Sequence, residues 1–168
     1  MARDCSNPRY VRAAGSDEDA RLDGYKPHAQ LRGEVTPEQF FCLVRFQLAG
    51  RMSPEEEATS YPDRFEGGPG FGETGFQELK QKMCERHPLD AVYVDVDIEE
   101  GKPTGHEGRH RSAAAHSLGI GKVPAVIFVK DAFEMHREGI EGLPERDLAA
   151  LDRILSRCGI ERDGRSVG

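Results

Sequence analysis

The chain lacks any C-x-x-C pair. Its four cysteines, Cys5, Cys42, Cys84 and Cys158, are scattered over 168 residues, so neither a zinc knuckle nor a disulfide framework is signalled. The expectation is free thiols in a reducing compartment, with Cys84 and Cys158 packing on apolar helix faces. A long hydrophobic run is missing as well. No stretch approaches the ~20 apolar residues of a membrane span, and Met1 to Tyr10 hold no apolar leader region. The reading is a soluble, cytoplasmic protein with no membrane partner, or a virion-associated one if phage-encoded. Basic charge is also in short supply: 23 Lys plus Arg against 30 Asp plus Glu leave a net charge of −7. Such a field repels nucleic acid, so any contact with phosphate must be local.

What is present begins with the uneven placement of that charge. Residues 36–100 hold 6 basic and 14 acidic side chains, whereas 101–130 hold Lys102, Arg109, Arg111, Lys122 and Lys130 against Glu107 alone. Residues 1–35, with 6 basic and 6 acidic side chains and no apolar period, read as an extended or disordered arm. Tyr10, Val11, Leu22, Tyr25 and Leu31 would be its anchors on a protein partner or on a second copy of the chain.

A single domain is expected over 36–160, followed by a polar tail at 161–168. Thr36-Pro37-Glu38-Gln39 is a capping box with Pro at the first helical position, opening a buried helix that runs toward Gly50. Arg51 to Glu73 is rich in Gly, Pro and acid and reads as a long loop. Thr74-Gly75-Phe76-Gln77 is a second capping box, and the helix it opens ends by Pro88. Ala91 to Asp97 alternates with β-branched residues, placing Val92, Val94 and Val96 on one face of a strand. Glu99 to Thr104 turn the chain. Ser112 to Leu118 is Ala-rich helix closed by Gly119, Val123 to Val129 is the apolar run of an interior strand, and Pro144 opens a helix striped by Leu148, Leu151, Ile154, Leu155 and Cys158. The fold class is α/β, a small mixed sheet with packed helices.

Between the first strand and the Ala-rich helix lies Gly105-His106-Glu107-Gly108-Arg109-His110-Arg111. Backbone N–H groups at a helix start and two guanidinium forks converge there, a geometry that binds anions. Gly105 and Gly108 would let backbone approach a ligand. Glu107 beside two Arg and two His could take a proton or hold a divalent cation.

The run Glu107-Gly108-Arg109-His110-Arg111-Ser112-Ala113, then Leu118-Gly119, then Val123-Pro124-Ala125-Val126, resembles the signature of ParB/sulfiredoxin-like domains. The likeness covers about Phe76 to Val129. In partition proteins of that family the turn binds a nucleoside triphosphate, and Glu107, Arg109, Arg111 and Ser112 match it. The free-serine kinase turn is matched by Glu107, Gly108, His110 and Arg111, and sulfiredoxin's by His110 and Arg111, with Arg109 where the reactive Cys would stand. The resemblance implies a nucleotide- or phosphate-binding module, docking to or acting on nucleic acid in a phage or mobile-element setting. Gly105, His106, Gly108, Arg109, Arg111 and Ser112 would hold the phosphates, and Glu107 would hold Mg2+ or act as base. His110 would orient phosphate or shuttle a proton, so Glu107 and His110 are the catalytic candidates if turnover occurs. No helix-turn-helix follows, so sequence-specific DNA binding is not expected.

Two other classes compete. One is a non-catalytic structural protein of a nucleoprotein or virion assembly, using the basic turn only for docking. The other is a zinc metallopeptidase, because His106-Glu107-Gly108-Arg109-His110 also satisfies H-E-x-x-H, with His116 as third ligand. Against the peptidase, Pro103, Thr104 and Gly105 leave no helical turns before His106, and Ala113 replaces the glycine that would turn the chain. A continuous helix would then carry His116 about 240° round from His110. Zinc is therefore not expected.

Overall fold

The computed structural model describes residues 5–13, 29–45, 53–59, 73–130, 140 and 143–162. The apolar run is strand β6, Val123–Lys130, and it lies inside a four-stranded sheet as its composition requires. On one side it pairs parallel with β4, Val92–Asp97, in the register Val94↔Ile127. On the other it pairs antiparallel with β2, Ala29–Val35, in the register Leu31↔Ile127. Strand β5, Lys102–Glu107, pairs antiparallel with β4 and closes the order β2-β6-β4-β5. The sheet is mixed, and the protein is an α/β structure.

The alternation of β4 decides how the layers stack. Val92, Val94 and Val96 share one core with Ala125, Ile127 and Val129 of β6 and with the apolar sides of the helices. These helices are α1, Pro37–Val44; α2, Pro54–Thr59; α3, Glu73–Cys84; α4, Arg109–Ser117; and α5, Glu145–Ser156. Phe40 and Leu43 of α1, Phe76 and Met83 of α3, Ala113 to Ala115 of α4, and Leu151 and Leu155 of α5 are all buried there. Opposite-parity residues Tyr93, Val126 and Phe128 join Ala91 in a separate buried cluster. The expected capping box holds: Thr36 Oγ1 accepts from Gln39 N at 3.0 Å, and Thr36 N donates to Gln39 Oε1 at 2.8 Å.

Four expectations are corrected. The fold does not begin at Thr36, because Ala29–Val35 is strand β2 of the sheet. Ahead of it, Val11–Arg12 (β1) pairs parallel with Pro88–Leu89 (β3). The arm reading does not hold for 29–35, where Gly33 interrupts an alternation of Leu31 and Val35 with polar neighbours; residues 14–28 lie outside the described residues. Second, the loop expected from Arg51 contains α2, opened by its own capping box: Ser53 Oγ accepts from Glu56 N at 3.2 Å, and Ser53 N donates to Glu56 Oε2 at 3.0 Å. Third, α3 has begun by Glu73, so Thr74 lies within it and is not its cap. Fourth, the four cysteines are not free thiols: Cys5 is bonded to Cys84 and Cys42 to Cys158. Pairs separated by 79 and 116 residues are set by which segments fold side by side, which spacing does not encode. Leu22, Tyr25, the glycine run at 66–72 and the end of the tail lie outside the described residues.

Candidate functional site

The suspected turn is divided between two elements. Gly105, His106 and Glu107 belong to strand β5, Gly108 alone is the corner, and Arg109 begins α4. The order is thus strand, strand, helix, strand, and not strand, turn, helix, strand. A strand containing Pro103 and Gly105 forms because β5 is a sheet edge, where a missing N–H is tolerated, and a register shift between Asp95 and Val96 absorbs the irregularity.

Both glycines are explained by their neighbours. A Cβ on Gly105 would stand 2.5 Å from Asp95 Oδ2, and one on Gly108 2.5 Å from Val92 Cγ1. Gly108 also has φ +104°, a left-handed conformation that disfavours other residues. The first bond of α4 runs from Ser112 N to Gly108 O at 2.9 Å, so the N–H groups of Arg109, His110 and Arg111 precede the ladder, and Gly108 has no side chain to cap them.

A cleft of about 470 Å³ opens at this corner, lined among the described residues by Leu79 and by every residue from His106 to Arg111. Ser112 does not belong to it; its side chain is fully buried in the helix interface. The cleft is less positive than the sequence implies. Arg109 Nε lies 3.0 Å from Oε1 of Glu57, a carboxylate of α2 with no solvent exposure. The N–H is not aligned for a hydrogen bond, so the contact is one of charge. Arg111 Nη1 lies 3.8 Å from Asp90 Oδ2, a looser pairing.

The two histidines of the motif stay neutral at neutral pH. Burial pushes His110 down to about 4, and the guanidiniums of Arg109 and Arg111 push the same way. Glu57 Oε1, 3.5 Å from His110 Nε2, favours the imidazolium, but that carboxylate is already held by Arg109. Burial likewise lowers His106, with Arg109 adding to the effect and Glu107 opposing it; its ring lies 6.1 Å from that of Phe40, edge to face. Glu107 is exposed at the cleft mouth.

His116, at the far end of α4, is not beside His110. Its Nδ1 lies 3.0 Å from Glu38 Oε1 of α1 and its Nε2 2.8 Å from Glu55 Oε1 of α2. The H-E-x-x-H match therefore has no helix to present it: His106 and Glu107 are on a strand, His110 is on a helix, and His116 is engaged elsewhere. Among the described residues no three His, Cys, Asp or Glu side chains cluster as metal ligands.

Sequence reasoning missed Glu57, Asp90 and Tyr10. The helix that carries Glu57 was recoverable from Ser53-Pro54-Glu55-Glu56, which repeats the form of the capping box at Thr36. Tyr10 donates its hydroxyl hydrogen to the Asp90 carbonyl oxygen, and its own ionisation is pushed up chiefly by burial, with Arg111 opposing. The amino-terminal segment thus reaches the partners of Arg111. Compared with known proteins, the chain matches no family model, no curated protein and no solved structure. Among the described residues no helix is long and apolar enough to cross a membrane.

Proposed function

We propose that the chain is a ParB/sulfiredoxin-like binding module that takes a nucleotide or another phosphate-bearing ligand at the start of α4. The observation that supports this most is the cleft itself, lined without interruption by residues 106–111. An anion there would meet the N–H groups of the first helical turn and the positive end of the helix dipole. Arg111 is the cation best able to serve it, since its carboxylate partner is 3.8 Å away, whereas Arg109 is committed to buried Glu57. Neutral His110 would offer one donor and one acceptor. Glu107 gives the cleft mouth a single carboxylate, which suits Mg2+ only when the ligand's phosphates supply further oxygens. Bound in that way the ion would offset phosphate charge.

A second reading has its own support. Both arginines face carboxylates of this chain, and both glycines are filled against Asp95 and Val92, as in a non-catalytic structural or interaction protein. Titration calorimetry with CTP, ATP, pyrophosphate and orthophosphate, with and without Mg2+, separates the two. The first reading predicts saturable binding that Arg111→Ala weakens by about 1.5–3 kcal/mol, the value of a hydrogen bond to a charged group. Absence of binding by the wild type to all four leaves the structural reading standing.

A further inference from the structure

Among the described residues strand β2 is an outer strand of the sheet, its strand partner being β6, and residues 160–162 line a cleft with Leu31 to Val35. At its middle Arg32, Gly33 and Glu34 are all exposed. Gly33 has no side chain, so its exposure is that of the backbone, and nothing lies within 4 Å of where a Cβ would be. An exposed edge presents N–H and C=O groups that can pair with another strand. The residues of β2 show which strand fits.

We infer that β2 is a self-association edge, pairing antiparallel with β2 of a second copy about a two-fold axis at Gly33. In that register Arg32 stands opposite Glu34 of the other copy, and Glu34 opposite its Arg32. Leu31 then stands opposite Val35 on the core-facing side, where both already pack against the main core, Val35 buried and Leu31 partly so. Glycine meets glycine at the axis. Neighbouring registers fail. Moving the axis to residue 32 sets Arg32 against Arg32, and moving it to residue 34 sets Glu34 against Glu34; like charges directly opposite are destabilising. A one-residue slip would turn the apolar face of one copy toward the polar face of the other. Charge and pleat therefore select one closed, isologous arrangement, which joins two four-stranded sheets into one of eight strands.

The test uses the full chain with its disulfides intact, followed by sedimentation equilibrium across a concentration series. The wild type dimerises, and the dimer weakens as salt screens the exposed pairs. Arg32→Glu sets two Glu–Glu pairs and Glu34→Arg two Arg–Arg pairs, each weakening the dimer by about tenfold or more. Arg32→Glu combined with Glu34→Arg restores it, which no general damage to the fold would do. Circular dichroism on each variant checks folding. A wild type that stays monomeric throughout overturns the inference, as does a dimer whose affinity ignores both single changes or is not restored in the double variant.

Discussion

The two ends of α4 are held by the same short helix, α2, in opposite ways. At the amino end Glu57, with no solvent exposure, sits against Arg109 and His110. At the carboxyl end Glu55, 63% exposed, meets His116, which also contacts Glu38. Both pairs suit the helix dipole, with an anion at its start and a basic group in its last turn. They differ in burial, and burial decides what each is worth. Exposed pairs are screened by water and salt, whereas removing one member of a buried pair strands the other charge in a poor solvent.

The largest expected effect comes from the buried end. Glu57→Gln should destabilise the fold by about 3–5 kcal/mol in urea denaturation. Adding Arg109→Met should recover part of that loss, since no uncompensated charge is left. A Glu57→Gln variant as stable as wild type would mean that Arg109 finds other solvation and that burial does not set the two ends of α4 apart.

Next is pH. His110 is held at about 4 in the folded state against an ordinary 6.5, so above 6.5 both states are neutral and stability is full. As pH falls through 6.5 the unfolded chain takes the proton and the folded chain does not. Stability drops until about pH 4, by up to about 3 kcal/mol. Urea midpoints of wild type and His110→Gln between pH 7 and 4 should converge as the wild type loses this advantage; parallel curves would refute the assignment.

The smallest effect belongs to the exposed end. Glu55→Gln and His116→Gln should each cost within about 1 kcal/mol, and less in high salt. A loss as large as that of Glu57→Gln would show that exposure does not separate the two ends.

The same contrast explains what could be read from the sequence. The interior strand β6, the alternating β4, the capping box at Thr36 and the apolar stripe of α5 follow from periodicity and cap chemistry, which are local. Strand β5 does not: Lys102-Pro103-Thr104-Gly105 has weak strand propensity and is extended because β4 pairs with it. The charge of the motif misled for a related reason. Arg109 and Arg111 lie in a basic stretch of sequence, but Glu57 and Asp90 arrive from elsewhere in the chain, so charge counted along the sequence is not charge counted in space. Gly105 and Gly108 suggested room for a ligand, and their space is taken by Asp95 and Val92. Residues 106–111 of the motif line one cleft, while Gly105 and Ser112 lie outside its lining.

That cleft can be probed at single-residue level. In a titration of the isotopically labelled protein with pyrophosphate and then a nucleoside triphosphate, followed by backbone amide chemical shifts, ligand binding at the start of α4 predicts saturable shifts centred on Gly108, Arg109, His110 and Arg111 and diminished in Arg111→Ala. Amides at the start of α4 that stay still through the titration, or shifts confined to other parts of the molecule, would contradict it.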